Sequence, residues 1–82
     1  MKNEITNPDS IEVGDVLKIG NTLHEVIEVD VIEEMYIPSE NEYKLTAGVR
    51  TLAGGRRLIE RTVSYETLAG FNNLTVFRPE AP

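Results

Sequence analysis

An all-β domain is what this sequence predicts, from three observations. Ile27, Val29 and Val31 alternate with Glu28 and Asp30, the period-two pattern of a strand with one buried and one wet face. Five of the seven residues in the run 26–32 are β-branched, which disfavours helix there. Short apolar runs are separated throughout by Gly, Asn and Pro turn signals.

In chain order, residues 1–10 are polar, hold Asn7-Pro8-Asp9-Ser10 and read as a flexible N-terminal arm ending in a turn. Val13-Gly14-Asp15 turns into a first strand at Val16-Leu17-Lys18-Ile19, and Gly20-Asn21 turns into the long strand that begins at Thr22. Pro38 and the turn formers after it make a loop at residues 38–42. Tyr43, Leu45, Ala47 and Val49 resume the alternation, Ala53-Gly54-Gly55 closes a hairpin, and residues 56–63 return as a strand. Ser64 caps one helical turn over residues 65–69, with Gly70 expected to end it in a left-handed conformation. Asn72-Asn73 leads to a last strand at residues 74–78, and residues 79–82 form a tail. The domain proper is residues 11–78.

Loop lengths set an expected register. Five loop residues at 38–42 place Ile37 opposite Tyr43, Met35 opposite Leu45 and Val31 opposite Val49. Three at 53–55 place Val49 opposite Ile59 and Leu45 opposite Val63. Two ion pairs follow from this register: Asp30 across from Arg50, and Glu33 reaching Arg61 over Ala47.

Eighty-two residues make one domain, which buries only about 60–65 % of the surface of its unfolded chain. With no cysteine there is no disulfide, thiolate nucleophile or thiolate metal site, and the reducing cytoplasm is the expected compartment. No apolar run approaches the length of a membrane span, and the first residues carry no targeting pattern. The net charge of −6 argues against direct nucleic-acid binding, which draws its affinity from Lys and Arg on phosphates. That charge is unevenly spread: residues 1–43 hold eleven acidic and two basic side chains, residues 44–82 three and six.

This order of five strands, with one helical turn before the last, resembles an SH3-like barrel. The residues that carry the resemblance are Val13-Gly14-Asp15-Val16-Leu17-Lys18-Ile19-Gly20, the Ala53-Gly54-Gly55 hairpin and the turn at residues 64–70. Together they cover most of residues 11–78. The resemblance implies a five-stranded SH3-like barrel with a short helical turn before the closing strand. Small barrels of this kind are also similar to accessory proteins of bacterial viruses, which implies a place in an assembly. The peptide-binding members line their grooves with aromatics including tryptophan, and this chain has none, so proline-rich ligands are not expected.

No catalytic constellation emerges. His24 is the sole histidine and reads as an ordinary strand residue. Gly54-Gly55-Arg56-Arg57 lacks the Lys-Ser/Thr and following helix of a phosphate loop. No cofactor and no metal are expected, and the chain is read as non-enzymatic. Two charged surfaces remain as candidates: an acidic one of Glu25, Glu28, Asp30, Glu33, Glu34, Glu40 and Glu42, and a basic one of Arg50, Arg56, Arg57 and Arg61. The expected role is a protein-interaction module, binding a protein partner or itself as an assembly or accessory subunit of phage or prophage type. The alternative is an acidic inhibitor that imitates nucleic acid toward a processing or defence protein.

Overall fold

A computed structural model describes residues 3–50, 52–70 and 73–80, apart from the side chains of Ser39 and Arg50. Six strands run antiparallel: β1 (Asn3–Ile5), β2 (Val16–Ile19), β3 (Thr22–Glu33), β4 (Glu42–Arg50), β5 (Arg56–Val63) and β6 (Leu74–Arg78). One helical turn, α1 (Tyr65–Ala69), precedes β6, and the Ser64 hydroxyl caps it by accepting from the Thr67 N–H at 3.3 Å. The strands form one open sheet in the order β1-β6-β2-β3-β4-β5. The all-β class stands, whereas the closed five-stranded barrel does not. β1 fills one side of β6, and among the described residues β5 has a strand on one side only, so the ladder has two ends.

β1 lies within the segment expected to be a flexible arm. Ile5 is opposite Val76 and is buried, so residues 3–5 belong to the sheet and the core. The arm's second half is also anchored. Pro8–Ser10 forms a 3₁₀ turn, started by the Asn7 side chain accepting from the Asp9 N–H, and Pro8 is fully buried. Trimming Ile5 to alanine should therefore lower stability by about 2 kcal/mol, the low end for a buried isoleucine because the strand is short and terminal. Urea denaturation measures this, and an unchanged midpoint would show that β1 adds nothing. Residues 79–80 follow β6 without regular structure, while the rest of the expected tail and Asn72 of the expected Asn72-Asn73 turn lie outside the described residues.

β4 lies between β3 and β5, as expected, but both registers differ from expectation. Val31 is opposite Tyr43 and Val29 opposite Leu45, a slip of six residues. The hairpin end is longer than Pro38 alone suggested. Pro38–Glu40 forms a 3₁₀ turn, and the Asn41 side-chain oxygen accepts from the Met35 N–H at 2.6 Å, which takes Met35 to Ile37 out of the ladder. On the other side of β4, Leu45 is opposite Arg61 and Ala47 opposite Ile59, a slip of two. Even slips keep the side chains of β4 and β5 on their faces, but β3 carries two β-bulges, between Val26 and Glu28 and between Val31 and Glu33, so Val26 instead of Ile27 turns fully inward, opposite Ala47. Leu17, Val26, Leu45, Ala47, Val63 and Val76 are fully buried, with Ile11 covering them from outside the sheet and Leu68 of α1 packed against them.

Both forecast ion pairs fail with the register. Asp30 is opposite Lys44 rather than Arg50, and Glu33 is opposite Glu42, three residues along β4 from Arg61's partner Leu45 and so on the other face of the sheet. Gly70 has φ −85°, so α1 ends without the left-handed residue expected. The tight turns at Gly20 (φ 60°) and Gly54 (φ 90°) do take the positive φ that glycine alone adopts cheaply.

Candidate functional site

Arg56, Arg57 and Arg61 all fall on β5, so the sheet gathers the basic candidates onto one edge. Arg50 lies opposite Arg56 at the end of β4, and its side chain is outside the described part. Alternation puts Arg57, Ile59, Arg61 and Val63 on the core face and Arg56, Leu58, Glu60 and Thr62 on the outer face. β5 pairs with β4 on one side, and its other side meets no strand among the described residues. The backbone groups aimed to that side are therefore a template for another extended chain, and the Glu60 carbonyl of this strand accepts from Arg61 Nη1 at 2.8 Å. Arginines at such an edge discourage indiscriminate pairing, yet Leu58 sits in the middle of it, 55 % exposed.

The acidic candidates separate into two groups. Glu25, Glu28, Asp30 and Glu33 lie on β3, Glu34 follows it, Glu40 is in the 3₁₀ turn and Glu42 opens β4. Glu25 reaches Arg56 at 3.5 Å, Asp30 is opposite Lys44 and Glu28 is opposite Thr46. The Glu25–Arg56 contact crosses Gly48, which is opposite Glu25 on one side and Leu58 on the other. A Cβ on Gly48 would meet Leu58 Cδ2 at 3.1 Å and Arg56 Cδ at 3.5 Å, so the bare backbone makes room for this bridge. The device forecast for Glu33, Ala47 and Arg61 thus occurs with other residues. Both partners are half-exposed, so the pair contributes little stability.

The second group, Glu33, Glu34, Glu40 and Glu42, gathers at the hairpin end. There a cleft of about 540 Å³ lies between Met35, Glu40 and Glu42 on one wall and Ser64, Tyr65 and Glu66 on the other. Glu66 and Tyr65 were not among the candidates, and no sequence signal links α1 to this hairpin. Val31, Ile32, Met35, Tyr36 and Ile37 are exposed here, although Met35 and Ile37 were expected to face Leu45 and Tyr43. Among the described residues, no three His, Cys, Asp or Glu side chains are grouped to hold a metal ion. Nor is any helix among them long and apolar enough to cross a membrane.

Two polar clusters hold the chain ends to the sheet. Tyr43 donates its hydroxyl hydrogen to Asp9, and Asn41 Nδ2 donates to Asp9 at 3.2 Å. The bond to Asp9 raises the Tyr43 pKa above the ordinary tyrosine range because ionising would cost that donor; the Asn41 contact opposes the shift. The sign follows from linkage: the stabilisation is complete below the ordinary tyrosine pKa and is lost as pH rises through the raised one. The stability gap between the native chain and Tyr43→Phe should thus narrow as pH rises from the ordinary tyrosine range through the raised one, and a constant gap would exclude the phenol as its source. In the other cluster, Arg78 Nε and Nη2 donate to Asp15 at 3.1 and 3.2 Å, and Nη2 also donates to the Ser10 carbonyl. Asp15 raises the Arg78 pKa further above its already high value. His24 is a strand residue as expected, but a buried one, with Nδ1 3.3 Å from the Leu17 carbonyl oxygen.

The chain matches no protein-family model, no curated protein and no solved structure.

Proposed function

We propose that this chain is a non-enzymatic protein-interaction module, an assembly or accessory subunit of phage or prophage type, that engages its partner along β5. The observation that carries this reading is the eight-residue β5, with one side in the sheet and the other unpaired among the described residues. β-strand addition draws affinity from the backbone and specificity from alternate side chains, here Arg56, Leu58 and Glu60 on one face and Arg57, Ile59 and Arg61 on the other. Five strands in sequence order from β2, with one helical turn before β6, support the resemblance to SH3-like domains in an opened form.

The inhibitor reading draws support from the carboxylates at the hairpin end, which Glu66 extends. It is the weaker reading because Glu25 and Asp30 have cationic neighbours on the sheet, which breaks the acidic array that imitation of a phosphate backbone needs. A photo-crosslinking amino acid in place of Leu58, compared with one in place of the exposed Leu23 on β3, separates the readings in extracts of the native host. Discrete products from position 58 alone support the edge. Equal labelling at both positions, or products only from a probe at Glu34, would overturn it.

A further inference from the structure

We infer that β5 pairs with β5 of a second copy of this chain, antiparallel about a twofold axis through Leu58, joining two six-stranded sheets into one. This rests on the reading of β5 as the working edge and names its occupant. A twofold axis perpendicular to the sheet keeps each face continuous, so opposing residues must come from the same face of β5. Only registers centred on a residue satisfy this. Four such centres, Leu58, Ile59, Glu60 and Arg61, leave five or more β5 residues paired.

Charge decides among them. Centring on Ile59 sets Arg57 against Arg61 twice, centring on Glu60 sets Glu60 against itself, and centring on Arg61 sets Arg61 against itself. Centring on Leu58 sets Arg56 against Glu60 twice, Arg57 against Ile59 twice, and Leu58 against its own copy. It is the one register with opposite charges matched and none alike. It also covers Leu58, which is more than half exposed. Arg56, already 3.5 Å from Glu25, has enough donors for the second copy's Glu60 as well, so the Leu58 pair would be flanked on both sides by Glu25–Arg56–Glu60 chains. A twofold contact uses β5 of both copies, and the other sheet edge, β1, spans three residues among those described, so the assembly closes as a dimer instead of growing into a filament.

Sedimentation equilibrium on the full chain tests the register through charge exchange, with circular dichroism confirming that each variant folds. The native chain should show a concentration-dependent dimer. Glu60→Arg and Arg56→Glu should each weaken it by about tenfold or more, since each creates two like-charge pairs, and the combined exchange should restore it. A second readout is independent of these charges. Leu58→Cys, in a chain with no other cysteine, should form a disulfide-linked dimer under mild oxidation, whereas Thr62→Cys should not, because the register holds the two Thr62 positions far apart. Failure of the exchange to restore the dimer, or equal crosslinking at both cysteines, overturns the register. A native chain that stays monomeric overturns the second copy as occupant; if the Leu58 photoprobe then captures a different protein, the edge reading stands, and if it captures none, both fall.

Discussion

Replacing Leu45 with alanine lowers the unfolding free energy by about 3–4 kcal/mol. Leu45 is fully buried in β4, between Val29 on β3 and Arg61 on β5, with the core against its side chain. Truncation loses the transfer free energy of the removed atoms and leaves a cavity that rigid flanking strands cannot close. A domain of this length holds about 4–12 kcal/mol in total, so this one truncation removes from about a quarter to nearly all of it. Leu58, on the neighbouring strand but exposed, supplies the contrast: its alanine variant should lose under about 1 kcal/mol. Urea unfolding of the pair decides the matter, and equal losses would mean that the core does not lie on the face assigned to it.

Arg78→Met should be the most damaging change among the charged residues. Its guanidinium supplies two of the hydrogen bonds that hold the Asp15 carboxylate, which is only 3 % exposed, and the third comes from the Glu12 N–H at 2.8 Å. Without Arg78 that carboxylate stays buried with one donor, and stranding it costs about 2–3 kcal/mol. The cluster also ties the turn before β2 to β3 and to the end of β6, since the Asp15 carbonyl accepts from the Val26 N–H, the Gly14 N–H donates to the Val26 carbonyl, and Arg78 reaches Ser10. Adding Asp15→Asn to Arg78→Met removes the stranded charge and should recover part of the loss. A double-mutant cycle reads this directly, and additive effects would show that the two residues are not coupled.

Much of the fold is legible in the residues themselves. The β-branched run at 26–32, the glycines at 20 and 54 and the serine cap at 64 each act locally, and each lies where its chemistry requires. β1 is not legible, because three residues with one large apolar side chain are too few to show a period. The β3–β4 register is hidden for another reason: at Val29 and Val31 the slip is even and leaves the alternation of β4 unchanged, so burial cannot choose among such registers, and the two β-bulges that shift Val26 and Glu33 by one residue interrupt the period itself. What chooses is the bond from the Asn41 side chain to Met35, which fixes the hairpin end and which composition does not reveal.

The candidate site follows the same division. Arg56, Arg57 and Arg61 are neighbours in sequence, so their shared strand could be read early. That this strand ends the sheet depends on topology, and Leu58 passed unnoticed because an alternating apolar residue looks like core until the edge is known. Tyr65 and Glu66 meet Glu40 and Glu42 only because α1 packs near the 3₁₀ turn.

Amide hydrogen exchange along β5, measured on the native chain over a hundredfold range of concentration, tests the central claim most directly. The account predicts that alternate amides within Arg56 to Glu60, those aimed away from β4, become protected as concentration rises, while those bonded to β4 remain protected throughout. Exchange along β5 that is independent of concentration, or new protection confined to Met35, Tyr36 and Ile37 at the hairpin end, would contradict it.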